Sequence, residues 1–166
     1  GGKIRFNVAK FGAKVASQVS KFGFGSGNNL PGYVFYKIAG KEALKDLAHE
    51  MSIGPILITG TNGKTTTTTL LIKLLSADTK IRKSFESNTI HAITTCILKG
   101  DGDLGVFEYG IRNKSYGIPD TVQRLIDPVG VVYTTISREH SQVAGVKNPF
   151  EEYVDAKSLL SQGMTR

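Results

Sequence analysis

Residues 53–66 read Ile-Gly-Pro-Ile-Leu-Ile-Thr-Gly-Thr-Asn-Gly-Lys-Thr-Thr, and this stretch decides the fold. The apolar run at 53–58 predicts a buried strand, and the Gly-Lys-Thr that follows opens a segment of helical length. Gly60 and Gly63 let backbone N–H groups approach phosphate oxygens, and the start of the helix adds a partial positive charge. The order of strand, glycine loop and helix therefore predicts a site for the phosphates of a nucleoside triphosphate.

Two side chains of this loop carry the chemistry of phosphate binding. Lys64 supplies a full positive charge and Thr65 offers a hydroxyl to Mg²⁺, so we expect ATP with magnesium as the ligand. The standard spacing of such loops places a first glycine at position 58, which is Ile here, so the loop is a shorter variant. The predicted nucleotide-binding residues are Gly60, Thr61, Asn62, Gly63, Lys64, Thr65 and Thr66.

The variant loop resembles that of one family. Gly-Thr-Asn-Gly-Lys-Thr-Thr, preceded by an apolar strand, is similar to the ATP loop of the Mur ligases, which join amino acids or peptides to cell-wall precursors. Folylpolyglutamate and cyanophycin synthetases belong to the same group. The resemblance implies an α/β fold in which a mostly parallel, P-loop NTPase-like sheet carries helices on both faces.

Later motifs follow in the order that this family has them. The apolar strand Leu-Gly-Val-Phe ends in Glu108, which the resemblance makes a magnesium ligand. The run Ser-Arg-Glu-His140 resembles the family's histidine motif, although Thr135 replaces a common Asn and Glu139 a common Asp. Tyr-Val-Asp-Ala-Lys157 resembles a motif whose lysine is carbamylated in many members, which implies N6-carboxylation here. The expected metal ligands are Thr65, Glu108, His140 and Lys157.

Further candidates lie between these motifs. Asn88 belongs to Ser-Asn-Thr-Ile-His, which resembles a loop that Mur ligases bring near the terminal phosphate, whereas His91 stands where the family usually has glycine and is interpreted as structural. Residues 112–114 follow Glu108 at the edge where open α/β sheets bind ligands, and either contact an anionic substrate or form a solvated loop. The expected catalytic residues are Lys64, Glu108, His140, Lys157 and Asn88.

The rest of the chain alternates strands with helices, which favours a parallel sheet covered on both faces. Besides the strand at 53–58, apolar and β-branched runs predict strands at 104–107 and 129–136. Polar or glycine-rich composition predicts loops at 23–32 and 84–89. Helices are predicted at 3–22, 41–50, 65–75, 90–98, 121–126 and 150–160.

The first predicted helix is amphipathic and basic. Its apolar residues recur at steps of three and four, which is the spacing of one helical face, and lysines lie beside this stripe. A helix packed on the body of its own protein or on a missing domain is the favoured interpretation, and contact with a membrane surface is the second. The stripe consists of Ile4, Val8, Phe11, Val15, Val19 and Phe22, and the lysines are Lys3, Lys10, Lys14 and Lys21.

Composition sets further bounds. The chain has 166 residues, 40% of them apolar and 21% charged, which is an ordinary globular balance. Its single Cys96 closes no internal disulfide and its start is not a secretion signal, so a cytoplasmic location is expected. The net charge is +7, with eight Lys or Arg against three Asp or Glu in residues 1–50. Basicity suits nucleic acid, an anionic lipid surface or an anionic substrate, and charge alone does not choose among them. Among these partners we expect no nucleic acid.

Two parts are expected. Residues 1–50 form a short helical basic segment with a Gly-rich loop, and residues 51–166 the first part of a Mur ligase central ATPase domain, so the C-terminal domain of a full enzyme is missing. The Gly-Gly start and the end after a helical pattern also suggest a fragment, which alone we expect to be inactive. The N-terminal arrangement, with Glu108-Tyr-Gly-Ile and the later Ile118-Pro-Asp, most resembles the archaeal ligases that build pseudomurein peptides.

The resemblance implies a reaction. A substrate carboxylate attacks the γ-phosphate of ATP to give an acyl phosphate, and an amine displaces the phosphate to form an amide. Expected partners are ATP, an amino acid, and an anionic peptide or a nucleotide- or lipid-linked cell-wall precursor. Alternatives are an amidotransferase-associated Mur ligase homologue, a folylpolyglutamate- or cyanophycin-type ligase, a P-loop kinase or hydrolase, and a non-catalytic binding fragment.

Overall fold

The structure is a computed structural model that describes residues 1–23, 28–111, 119–138, 148–162 and 164. Its strands and helices alternate after an all-helical start. The elements in chain order are α1 (Gly2–Ser20), α2 (Leu30–Ala39), α3 (Ala43–Ala48), β1 (Gly54–Thr59), α4 (Lys64–Leu75), β2 (Ile81–Ser87), α5 (Ile90–Lys99), β3 (Leu104–Tyr109), α6 (Pro119–Ile126), β4 (Gly130–Tyr133) and α7 (Pro149–Ser158).

The four strands form one sheet in the order β2-β3-β1-β4. Every neighbouring pair is parallel, and β1 lies in the centre between β3 and β4. All strands therefore end at the same edge. The chain crosses from β3 past β1 to β4, so the order of strands reverses beside β1, which is where open α/β sheets bind ligands.

Helices cover both faces of the sheet. Because neighbouring strand residues point to opposite sides, each strand contributes side chains to both faces. Leu57 and Phe107 enter the larger apolar cluster, while Ile58 and Val106 enter a smaller one. Leu71 and other residues of α4 pack against the smaller cluster. The predicted α/β architecture with a parallel sheet covered on two sides is confirmed.

Two loop predictions are wrong in part. Residues 84–87, predicted as loop, belong to strand β2, which lies at the sheet edge where polar side chains remain solvated on one face. Its pairing with β3 is interrupted between Ser84 and Ser87, and Glu86 has a positive φ of 55°. The polar residues that predicted a loop therefore form a bulge within the strand.

The second correction concerns the Gly-rich segment, because helix α2 begins at Leu30, inside the loop predicted at 23–32. Pro31 occupies the first turn, where its missing N–H costs nothing. A Cβ on Gly32 would overlap the backbone carbonyl of His91 in α5. Gly32 therefore serves close packing of two helices. Strand β4 is also shorter than predicted, ending at Tyr133.

Helix α1 is present where it was predicted, but it packs through another face than its apolar stripe. The buried residues of α1 are Ala9, Ala13 and Ala16, and a Cβ on Gly12 would contact Ile38 and Val34 of α2. Small residues let the two helix backbones approach closely. In the described chain no helix combines the length and apolar character needed to span a bilayer.

One apolar cluster joins the N-terminal helices to the sheet. Phe35 and Leu44 are fully buried in it together with Ile93 and Phe107. The Phe6 ring meets the Phe35 ring edge to face, with centroids 5.5 Å apart. The predicted division of the chain at residue 50 stays a prediction.

This shared cluster makes Phe35 a test of cooperative folding. We expect Phe35→Ala to lower the free energy of unfolding by about 3–5 kcal/mol, because it empties a fully buried site. Urea unfolding followed by circular dichroism measures the loss. Phe85→Ala is the matched control, since Phe85 is 44% exposed, and should change stability little. Equal effects of the two substitutions would show that α2 is not part of the core.

Candidate nucleotide-binding site

The glycine loop lies at the carboxyl end of the central strand β1. Gly60 has φ of +148° and Gly63 has φ of +83°, conformations that other residues adopt only with strain. A Cβ on Gly60 would also overlap the hydroxyl of Thr134. Gly63 caps α4, whose first residue is Lys64. Both glycines are thus required by backbone geometry, and the predicted order of strand, loop and helix is confirmed.

The segment that follows β4 braces this loop. The Thr134 N–H donates to the Thr59 carbonyl at 2.9 Å. The Asn62 N–H and the Thr135 hydroxyl oxygen lie 3.2 Å apart, and the same hydroxyl lies 3.2 Å from the Asn62 carbonyl. Thr135, which departs from the family's Asn, therefore keeps a direct contact with the loop.

Thr61 links the loop to two other elements. Its hydroxyl lies 2.7 Å from the Tyr153 hydroxyl of α7, and it accepts a hydrogen bond from the Ser137 N–H at 2.9 Å. The buried Ser137 hydroxyl has no hydrogen-bond partner among the described residues. Tyr153 belongs to the motif that contains Lys157, but it is not among the site residues that the sequence predicts. Its fixed distance from Lys157 was the available signal.

Lys64 folds back over the loop. Its ammonium donates to the carbonyls of Gly60 at 3.0 Å and Thr61 at 3.3 Å. The amine thus lies above the same backbone that would receive phosphate oxygens. Thr66 lies exposed on the first turn of α4, so the start of this helix is open to a ligand.

Two of the predicted metal ligands lie against each other. The Thr65 hydroxyl donates to the two carboxylate oxygens of Glu108 at 3.0 and 3.2 Å. Glu108 is 2% exposed and stands beside Ile58 of β1 in the sheet register. A hydroxyl and a buried carboxylate are the oxygen donors that Mg²⁺ prefers, so this pair fits the ion.

Lys157 is buried under the loop rather than exposed on its helix. Its ammonium donates to the Thr59 hydroxyl at 3.0 Å and to the Ile111 carbonyl at 2.9 Å. It also lies 4.6 Å from the centre of the Tyr153 ring. Burial, and secondarily the positive charge of Lys64, lower the pKa of Lys157 from 10.5 to about 7.

Asn88 lies at the sheet edge that carries the loop, whereas His91 packs among aromatic side chains. Asn88 is exposed just beyond β2, and a side chain on Gly110 would collide with its amide oxygen, so Asn88 lies beside the end of β3. His91 packs its ring edge to face with Tyr33 and Tyr36, and burial followed by the charge of Lys37 lowers its pKa.

His140, Glu139 and residues 112–114 lie outside the described residues. Within the part of the chain that is described, no three His, Cys, Asp or Glu side chains come together as a ready metal cluster. The described donors at the loop are therefore Thr65 and Glu108.

The parallel sheet, with a glycine loop between its central strand and a helix, defines an α/β domain built in the order of phosphate-binding proteins. Residues 58–166 match the Mur ligase middle domain. This match covers more than half of the chain, and the chain belongs to the Mur ligase family.

Two curated relatives carry the same name, UDP-N-acetylmuramoyl-tripeptide--D-alanyl-D-alanine ligase. The chain is 36% identical to that of Borreliella burgdorferi over 100 residues, which are 58% of this chain and 21% of the relative. It is 29% identical to that of Bacillus subtilis over 129 residues, or 74% of this chain and 27% of the relative. The chain thus spans about a quarter of the length of these relatives. No solved structure matches it significantly.

The lowered pKa of Lys157 makes stability depend on pH. Between about pH 7 and pH 10.5 the unfolded chain binds a proton at this amine that the folded protein does not, so the free energy that burial of this group costs the fold becomes smaller as the pH rises. Relative to Lys157→Met, wild type should gain on the order of 2 kcal/mol over about two pH units in this window. Urea unfolding in CO₂-free buffers measures the difference.

The control for this experiment is Lys73→Met, because Lys73 is an exposed lysine of α4. The free energy of unfolding of this variant should change with pH as that of wild type does. The same parallel behaviour for Lys157→Met would show that Lys157 titrates as an ordinary surface lysine.

Proposed function

We propose that the protein containing this chain is an ATP-dependent carboxylate–amine ligase of cell-wall precursor synthesis. The observation that carries the proposal is the juxtaposition of Lys64 above the glycine loop with the Thr65–Glu108 pair at the start of α4. A phosphoryl group in transit needs its negative charge neutralised by groups that are already in place. The site supplies a fixed cation next to two oxygen donors, a buried carboxylate and an exposed hydroxyl.

The proposed reaction uses these groups in sequence. The loop N–H groups and Lys64 bind the phosphates of ATP, and Thr65 and Glu108 would hold Mg²⁺, which neutralises phosphate charge. A substrate carboxylate attacks the γ-phosphorus, ADP leaves, and an amine then displaces phosphate from the acyl phosphate to form an amide. Asn88, at the neighbouring strand end, is proposed to contact the terminal phosphate, and His140 to complete the metal site.

The substrate class follows from the relatives. Both are named as ligases that act on a UDP-N-acetylmuramoyl-tripeptide and D-alanyl-D-alanine. We therefore propose a peptide carboxyl on a nucleotide- or lipid-linked cell-wall precursor as the acceptor of phosphate, and an amino acid or short peptide as the amine. The helical and basic character of the residues that precede the ATP loop supports an archaeal pseudomurein-type role as the finer proposal.

The decisive experiment is ADP release by the full-length protein that contains this chain. We expect release only when ATP, Mg²⁺, a carboxyl substrate and an amine are all present, with each amide formed matched by one ADP. Glu108→Gln should lower kcat by about a hundredfold or more, because the neutral amide is a weaker ligand for the Mg²⁺ that neutralises the charge of the transferring phosphoryl group. Release that is independent of both substrates would instead indicate a hydrolase, and transfer to a hydroxyl a kinase.

A matched control comes from the surface of α7. Glu151 is exposed in the first turn of that helix, so Glu151→Gln makes the same chemical change away from the loop. This variant should retain the kcat of wild type. Equal losses in the two variants would remove Glu108 from the site.

We further propose that Lys157 is carbamylated. A buried amine whose pKa lies near 7 is partly neutral, and a neutral amine can attack CO₂, which gives a carbamate and releases a proton. The product is an anion, so it would replace a positive charge near Lys64 with a negative one and offer oxygen donors to a second Mg²⁺. This exchange removes the like-charge repulsion that the amine experiences.

Carbamylation can be observed directly. In ¹³C-bicarbonate, wild type should show a carbamate carbonyl resonance that Lys157→Met lacks and that Lys73→Met retains. The N-terminal amine can also form a carbamate, so any resonance that persists in Lys157→Met is assigned to Gly1. Identical spectra for wild type and Lys157→Met would exclude modification of Lys157.

A further inference from the structure

Helix α1 leaves its whole apolar stripe in solvent. Phe22, just beyond the helix, is 81% exposed, Ile4 is 72% exposed and Phe11 is 69% exposed. The other members of the stripe are Val8, Val15 and Val19. Contiguous exposed apolar surface of this kind marks an interaction site, whereas single exposed apolar residues are ordinary.

The stripe is not needed to attach α1 to the protein. Ala9, Ala13 and Ala16 already bury the opposite side of the helix against α2. The Arg5 side chain also donates to the Ile38 carbonyl from α1 to α2. Because the helix is held by its small-residue face, the large apolar residues are available to a second surface without any rearrangement.

The charge around the stripe has one sign. Residues 1–41 contain seven Lys or Arg and no Asp or Glu. Four lysines follow one line along α1 beside the stripe, and three of them, Lys3, Lys14 and Lys21, are exposed. The fourth, Lys10, pairs with Glu50 at 2.8 Å. The surface that meets a partner through this stripe is therefore cationic along its length.

A cavity of about 380 Å³ opens beside this cationic line. It combines the long side chains of Lys10, Lys14 and Lys99 with the apolar surfaces of Phe11 and Leu98. A volume of this size, lined by amines and apolar groups together, suits a molecule with an anionic head and an apolar body.

We propose that α1 binds the surface of an anionic phospholipid bilayer, with its apolar stripe in the outer acyl region and its lysines at the level of the headgroups. Amphipathic helices with Phe on one side and lysines on the other bind in this way. A second copy of the chain would bring two surfaces of the same positive sign together, which like-charge repulsion opposes. Nucleic acid would neutralise the lysines but leave the apolar stripe in water. The proposal is independent of the ligase reaction.

Sedimentation with phospholipid vesicles tests the proposal on the whole chain. Binding is expected to phosphatidylcholine vesicles that contain phosphatidylglycerol, and not to vesicles of phosphatidylcholine alone. Phe11→Ser should weaken binding by about tenfold or more, because it removes one large buried side chain from the bound state. Lys14→Gln should weaken it about fivefold, and added salt should weaken it further.

Matched controls come from α4. Leu74 is 72% exposed, close to the 69% of Phe11, so Leu74→Ser removes a similarly exposed apolar side chain elsewhere. Lys73→Gln makes the same charge change as Lys14→Gln. Both control variants should bind vesicles as wild type does, and circular dichroism should show unchanged helix content in all four. Phe22→Ser, beyond the end of α1, provides a second apolar variant that leaves the helix intact.

Three outcomes would overturn the proposal. The first is that wild type binds neither kind of vesicle. The second is that the α4 variants lose binding as much as the α1 variants, which would reduce the effect to net charge and general hydrophobicity. The third is a dimer in sedimentation equilibrium that Phe11→Ser abolishes while vesicle binding is absent, which would assign the stripe to a second copy.

Discussion

The parallel pairing of β1 with β3 on one side and β4 on the other is the constraint on which the site depends. Parallel strands end at one edge, so three segments distant in sequence meet there without long loops. The glycine loop follows β1, Glu108 stands near the end of β3, and Thr134 follows β4. A shift of β3 by one residue would turn Glu108 to the opposite face of the sheet, because side chains alternate along a strand. The sheet register thus sets the chemistry.

Burial of Lys157 is the least favourable feature of this arrangement. A buried amine close to a second lysine loses hydration and gains repulsion, and its two hydrogen bonds to Thr59 and Ile111 offset this only in part. Strongly shifted pKa values of this kind cluster at functional sites. The amine is therefore better explained by the proposed modification than by packing, because Met or Leu would fill the same volume without the electrostatic cost.

Sequence alone predicted the centre of the molecule well and its periphery poorly. The loop at 60–66 is predictable because its glycines, Lys64 and Thr65 each perform a local task that few other residues can perform. The proximity of Thr65 and Glu108 follows once the strands are taken as parallel. Strand β2 was missed because a polar edge strand with a bulge has the composition of a loop.

The packing of the N-terminal helices was harder to predict, because it does not depend on their large apolar residues. Periodicity of Ile, Val and Phe found α1 but not the face that is buried, since close helix packing against α2 depends on Ala9, Ala13 and Gly12. The start of α2 was not predicted because Pro31 and Gly32 are turn formers in most contexts. Here Pro31 lies in the first turn of the helix, and Gly32 allows the backbone of α5 to pack closely. Tertiary contact, rather than local preference, decides both helices.

Contacts through α5 connect these helices to the edge that carries the loop. The Thr89 hydroxyl caps α5 by accepting from the Ala92 N–H at 3.1 Å, and it donates to the Asn29 amide oxygen, before α2, at 2.7 Å. Further along α5, the Gly32 N–H of α2 donates to the Thr95 hydroxyl at 2.9 Å. Asn88 directly precedes this cap, so the position of α2 constrains where Asn88 can lie. Because α1 is held by α2, a surface bound to the apolar stripe would stand at a fixed distance from the strand ends.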